Sequence, residues 1–155
     1  MVLFVYKRQN LPTIQCFEKF MPERLTILLV DDEYAILRLC VSVLENVGYR
    51  VLSASSPFEA IQIAETYNGH IHLLLTDVRM PYMNGKQLSD KLSSHRQNLR
   101  TLFMSGYSAE ILSADGINAD VCNFIHKPFS LKALVGTVEI LLKNNPHEYQ
   151  SDTLR

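Results

Sequence analysis

"RLTILLVDDEYA", residues 24–35, carries an apolar run straight into three acids, Asp31, Asp32 and Glu33. A continuous Leu/Ile/Val run of this kind reads as a strand buried on both faces. Carboxylates at its tip repel one another: at ~5 Å and an effective dielectric of ~20, each like-charged pair costs roughly 3 kcal/mol. A helix cap accounts for one of them, Asp31 or Asp32, with Glu33 in the first turn that follows. One acid suffices for a cap, so the second needs another reason.

Outward from this stretch, short apolar runs alternate with helical patterns, the signature of a parallel α/β sheet. Strands are expected near 25–30, 50–54, 71–76, 100–104 and 121–125. In residues 33–47, Ile36, Leu39, Cys40, Val43, Leu44 and Val47 recur at helical spacing, and Gly48 closes the run. Ser56-Pro57-Phe58-Glu59 reads as a capping box with proline at the first helical position, opening a helix to about Tyr67. Further helices are expected from Gly85 to His95, near Ser108, and from Ser130 to a stop before Pro146. The last would bury Leu131, Leu134, Val135, Val138, Leu141 and Leu142.

The first, third and fourth strands are nearly unbroken apolar runs, as interior strands should be. The second carries Arg50 and Ser53 and the fifth Asn123, so these two read as edges. With right-handed crossovers this gives a flavodoxin-like, doubly wound five-stranded parallel sheet of order 2-1-3-4-5 in a single domain. Ligands of such sheets bind beyond the carboxyl ends of the strands, where the acids of the opening stretch sit.

Composition narrows the class. With 155 residues, 47% of them hydrophobic, and a net charge of −1, the chain suits one globular domain without the basic footprint of a nucleic-acid or membrane-surface binder. Cys16, Cys40 and Cys122 are odd in number and lack a CxxC pattern, which points to a reducing compartment. The five histidines, at 70, 72, 95, 126 and 147, have no metal-ligand spacing. No apolar run approaches the ~18–20 residues that span a bilayer. "MVLFVYKR" places its charges after a very short apolar core, the wrong order for a signal peptide, so a cytoplasmic protein is expected.

The residues that follow each strand carry the chemistry. Asp31 and Asp32 follow the first, Asp77 the third, Ser105 with Gly106 the fourth, and Lys127, ahead of Pro128, the fifth. Three acids together need a cation, and Mg²⁺ is bound by few carboxylates while keeping waters and phosphate oxygens in its shell. One acid of the pair can ligate directly while its neighbour holds a bound water. A carboxylate beside such a cation and an ammonium can attack phosphorus to form an acyl phosphate. Lys127 would then offset charge on the transferring oxygens, and Ser105 would donate a hydrogen bond to one of them.

"LLVDDE", "LLLTDVRMPYMNG", "MSGYS" and "FIHKPFS" together resemble the receiver domain of two-component response regulators, over roughly residues 24–143. The resemblance implies that Asp77 is the phosphoacceptor and that Asp31 and Asp32 hold Mg²⁺ with Asp77 and the backbone carbonyl of Arg79. It implies that Ser105 is the switch hydroxyl, Lys127 the phosphate-binding lysine, Phe124 the aromatic switch position, and Lys127-Pro128 a cis bond. Arg79 and Tyr107 match the positions that tune phosphoryl lifetime, and their bulk would slow its loss. The implied donor is a phosphohistidine on a sensor histidine kinase or a histidine phosphotransfer protein, with a separate effector as a further partner and no nucleic acid or membrane. A monomer is expected before phosphorylation. The family is one of signalling proteins and not of enzymes, apart from slow self-phosphorylation and self-dephosphorylation. "MSGYS" and "HKPFS" also resemble receivers fused to hybrid kinases.

Rival readings are weaker. A haloacid-dehalogenase-type phosphohydrolase would want a second acid two residues after Asp77, where Arg79 stands. A flavin or dinucleotide site would want a glycine-rich turn after the first strand in place of acids. An interaction module of the same fold that is never phosphorylated remains as the alternative.

The expected domain spans 24–143, with an N-terminal extension at 1–23 to which no structure is assigned and a polar C-terminal tail at 144–155. Met21 directly precedes "PERLTILLVDDE", itself a natural start, so the first twenty residues are expected to be dispensable and absent from the natively expressed protein. Its intact mass checks this; a full-length mass would refute it.

Overall fold

β1 (Thr26–Val30) is buried at every residue, as its apolar composition requires. In the computed structural model, which describes residues 24–106 and 122–143, it lies inside a five-stranded sheet with β2 (Arg50–Ala54), β3 (Leu73–Asp77), β4 (Arg100–Ser105) and β5 (Asn123–His126). All neighbours pair in parallel and the order is β2-β1-β3-β4-β5, with the charged and polar strands at the edges.

Successive residues of a strand face opposite ways, so β1 feeds two cores. Ile27 and Leu29 pack with Leu37, Cys40 and Leu44 of α1 (Tyr34–Val47) and with Leu134, Val138 and Leu142 of α4 (Leu131–Lys143). Leu28 and Val30 pack with Ala60 and Ala64 of α2 (Pro57–Thr66) and with Leu88 and Leu92 of α3 (Gly85–Ser93). Helices on both faces are what a sheet apolar on both faces needs. None of the helices among the described residues is long and apolar enough to cross a membrane.

The elements differ from expectation in instructive ways. The buried stripe of α1 is Leu37, Cys40 and Leu44, while Leu39 and Val47, expected in the core, are 49% and 47% exposed. Leu39 falls off the three-and-four spacing of that stripe, whereas Val47 continues it but stands at the last residue of the helix. Leu131 is likewise 40% exposed, standing in the first turn of α4 ahead of the Leu134–Val138–Leu142 stripe. β3 begins at Leu73 and not at Ile71, which is buried in the preceding loop against the α2–α3 side. The Ser56 hydroxyl caps α2 by accepting the Glu59 N–H, but Glu59 reaches Ser55 instead of closing a box. The reciprocal box belongs to α3, between Asn84 and Gln87. Gly48 ends α1 with φ of 109°, a left-handed turn that glycine adopts without strain. The helix expected near Ser108, Tyr107, and the segments 1–23 and 144–155 lie outside the described residues.

Gly85 fixes how α3 leaves the sheet. Its N–H donates to the Val78 carbonyl at 2.8 Å, and a Cβ at this position would stand 2.3 Å from the backbone carbonyl oxygen of Asp77. Only glycine allows that approach. Gly136, inside α4, has nothing within 4 Å of the same hypothetical atom. Gly85→Ala is therefore expected to lower stability by about 1–3 kcal/mol, and Gly136→Ala to raise it by about 0.5–1 kcal/mol through helix propensity. Urea denaturation of the two variants checks the pair of opposite signs.

Candidate functional site

Strand register assembles the site. Val30 pairs with Thr76, which carries the next residues, Asp31 and Asp77, to one level at the carboxyl edge. Asp77 pairs with Met104, one residue before Ser105, and Ser105 pairs with His126, one residue before Lys127. The backbone N–H of Lys127 donates to the Ser105 carbonyl at 2.7 Å, so β5 pairing runs to the lysine itself. The Lys127-Pro128 peptide bond is cis.

The Lys127 ammonium is the hub. Nζ donates to Asp31 Oδ2 at 2.8 Å and to Asp77 Oδ1 at 2.6 Å, and stands 3.8 Å from Glu33 Oε1. Neither outer carboxylate oxygen is idle. Asp31 Oδ1 accepts the Glu33 N–H and Asp77 Oδ2 accepts the Arg79 N–H, both at 2.8 Å. Asp31 is therefore not the cap of α1: Glu33 occupies the N-cap position, without a side-chain cap bond. Asp32, beside it, is exposed.

Burial sets the electrostatics. The Asp31 side chain is fully buried, and those of Lys127 and Asp77 are 15% and 14% exposed. Burial works against the charge on Lys127, but the hydrogen bonds it donates to Asp31 and Asp77 overcome this and hold the ammonium above the usual lysine range. Burial pushes the Asp77 carboxyl up from its ordinary value, against the opposing pull of Lys127 and the Arg79 N–H. Asp77 is thus a carboxylate whose charge is costly where it stands. Beneath it, the Cys40 thiol is pushed up to about 11 by burial, which keeps it a structural, protonated group.

The remaining expected residues fall into place around this hub. Ser105 is buried at the end of β4. Phe124 is half-buried on β5, packed with Val78, Phe103 and Cys122, its ring 4.8 Å from that of the exposed His126. The Arg79 side chain is exposed at the rim. Met80 packs into the α2–α3 core, with Met83 against it. Three contributors escaped the sequence reading: Glu33 near the ammonium, Thr76, whose buried hydroxyl donates to the Asp77 carbonyl at 3.0 Å, and Gly85. The "NG" of "YMNG" signals a tight turn, but only the fold shows which carbonyl it must clear.

The donor set fits a hard cation. Two carboxylates from adjacent strands direct oxygens at one point that already holds a positive group, and oxygen-only donors suit Mg²⁺. Among the described residues no group of three or more Asp, Glu, His or Cys side chains forms a ready cage. Mg²⁺ seldom uses one, since it is commonly bound through one or two carboxylates plus water and phosphate oxygens.

Residues 27–139 match the family model of the response regulator receiver domain. The sensor kinase CckA of Brucella abortus is 40% identical over 119 residues, 76% of this chain but only 12% of the kinase. The response regulator receiver protein CpdR of the same organism is 33% identical over 119 residues, 75% of this chain and 95% of that protein. Among solved structures, the receiver domain of the hybrid histidine kinase CckA has a TM-score of 0.64 at 33% identity, covering 76% of this chain and 98% of that one. A CheY-like receiver from Methanospirillum hungatei has a TM-score of 0.68 at 30% identity, covering 77% and 94%.

The charge arrangement has opposite consequences for its members. Lys127→Met leaves two buried carboxylates facing each other, with an expected loss of about 2–4 kcal/mol in chelator-containing buffer. Asp77 is held above its unfolded value, so the folded chain binds that proton more tightly than the unfolded one and charge at pH 7 works against folding. Asp77→Asn is expected to raise the urea midpoint at pH 7 and to restore part of the loss in Lys127→Met. A double-mutant cycle in urea checks both signs.

Proposed function

The chain belongs to the response regulator receiver domain family, and on that premise we propose that it is a phosphoryl-accepting signalling switch with Asp77 as its acceptor. The observation that carries this reading is the Lys127 ammonium shared between Asp31 and Asp77 at the carboxyl edge of the sheet. In the proposed reaction an Asp77 carboxylate oxygen attacks the phosphorus of a phosphohistidine. A P–O bond forms, the P–N bond breaks, and its electron pair returns to the imidazole nitrogen. The product is an acyl phosphate on Asp77.

Each nearby group has a part in that exchange. Before transfer, Lys127 offsets the carboxylate charge; afterwards it is within reach of a phosphoryl oxygen on the same residue. The Arg79 N–H holds the second Asp77 oxygen and so limits rotation of the carboxylate. Asp31, Asp32, Asp77 and the Arg79 carbonyl would hold Mg²⁺, which when bound offsets negative charge on the phosphoryl oxygens. Ser105 would turn its hydroxyl to the attached phosphoryl group. Phe124 would follow, altering the face that β4, β5 and α4 offer to a partner. The Arg79 side chain, exposed at the rim, is assigned to control of phosphoryl lifetime, with Tyr107 as its counterpart beyond β4.

The donor in this reading is a sensor histidine kinase or a histidine phosphotransfer protein in the cytoplasm, with a separate effector to read the switch. The chain covers only a small part of the kinase it resembles and nearly all of CpdR, so both a receiver carried within a kinase and a protein that is little more than a receiver are represented among its relatives.

Incubation with acetyl phosphate and Mg²⁺, followed by intact-mass measurement, is the direct test. One added phosphoryl group, lost in Asp77→Asn and in EDTA, is the expected outcome. No addition, together with no binding of beryllofluoride and Mg²⁺, would replace this reading with that of an interaction module that works unphosphorylated.

A further inference from the structure

At the opposite edge of the sheet, Thr26 opens β1 at 2% exposure, so its backbone N–H has little access to water and must find a protein acceptor. The acceptor is a side chain: the N–H donates to Nδ1 of His72 at 3.0 Å. His72 is the residue before β3, and its own backbone N–H donates to the Thr26 carbonyl at 2.9 Å. The two residues therefore exchange a pair of hydrogen bonds that tie the start of β1 to the start of β3. A backbone amide can only donate, so Nδ1 must carry a lone pair and no proton. The bond exists only with His72 neutral and its proton on Nε2.

We propose that His72 is a proton-operated clamp: neutral, it ties β1 to β3, and protonated, it sets an N–H against the buried N–H of Thr26 and lets that end of the strand pair go. The same two strands end in Asp31 and Asp77, so the clamp acts on the pair that builds the candidate site, from its far end.

The surroundings decide how the clamp titrates. His70 lies edge-on to His72 with ring centroids 4.4 Å apart, so a positive charge on His72 would stand beside that ring. His70 also lines an open cleft of about 610 Å³ shared with Glu65, Lys91, His95 and Arg96. From β2, the Arg50 guanidinium donates to the Tyr67 hydroxyl, itself 3.3 Å from the Thr26 hydroxyl. From β4, the Arg100 N–H donates to the His72 carbonyl at 3.4 Å, while its guanidinium bonds the Leu141 carbonyl of α4. Ahead of β1 stands Arg24, whose carbonyl accepts from the Thr26 hydroxyl. The arginines add positive charge at this end of the sheet, and Glu65 in the cleft carries the opposite sign. Arg96 is committed to the carbonyls of Ala64, Tyr67 and Gly69, which close the end of α2.

The sign follows from the bond. In the unfolded chain His72 titrates near the ordinary ~6.5, whereas the folded chain resists protonation. Stability is therefore complete above that value and is lost as pH falls.

Urea denaturation of the full chain at pH 7.5 and 5.5 tests this. The unfolding constant is expected to rise about five- to tenfold over that interval in the unaltered protein. In His72→Asn, whose Oδ1 accepts the same N–H at either pH, the rise should stay below about twofold. His70→Asn should keep most of the unaltered response. Equal responses in the unaltered chain and His72→Asn would overturn the proposal. Should His72→Asn fail to fold, imidazole ¹⁵N shifts of the unaltered chain decide. An unprotonated Nδ1 at pH 7.5, with Thr26 amide protection lost on acidification, supports the clamp, and a protonated Nδ1 at pH 7.5 refutes it.

Discussion

A single ammonium holds two buried carboxylates at the mouth of this sheet, and much of the architecture serves that contact. Asp31 and Asp77 end adjacent interior strands, so without a cation between them the two strand tips would repel in a poorly solvated place. The cation must come from β5, two strands from β3, and its stem has to cross the end of β4. There the chain carries Ser105 and Gly106, and a Cβ built at Gly106 would stand 4.0 Å from Lys127 Cβ, at ordinary contact. Strand order, a small residue after β4 and a long cationic side chain after β5 are parts of one solution.

The same contact leaves the site poised. Burial already disfavours the charge on Asp77, and its two oxygens are occupied by one ammonium and one backbone N–H. On the proposed reading, a phosphoryl group arriving there would bring new negative charge to a position where one ammonium serves two acids. The groups free to respond are those on long or exposed stems, Lys127 and Glu33, whereas Asp31 is fixed on both oxygens and fully buried.

Much of this was readable from residue types. Unbroken apolar runs marked the interior strands, Arg50, Ser53 and Asn123 marked the edges, and the tips then fell together in the order the chain lists them. Less readable was which residues of a helix point inward. Leu39 is as hydrophobic as Leu37, and only the direction from which the sheet approaches α1 selects between them. Close backbone approaches are equally silent. Gly85 reads as the second half of a turn dipeptide, yet its real constraint is the Asp77 carbonyl, set by how α3 departs from β3. Polar groups that act through the backbone, such as Thr76 and His72, leave no pattern in the sequence because their partners are main-chain atoms.

The two-sided core has a consequence for how the strands find their alignment. In a sheet wet on one face, sliding a strand by one residue turns apolar side chains into water, and that penalty fixes the alignment. β1 offers Ile27 and Leu29 to one core and Leu28 and Val30 to the other, so a one-step slide would exchange one greasy set for another of nearly equal quality. The discriminating information is displaced to the two ends of the strand, where Thr26 must meet an imidazole and Asp31 must meet an ammonium. The charged group at the mouth of the sheet is thus also a ruler: it tells the strand where to stop.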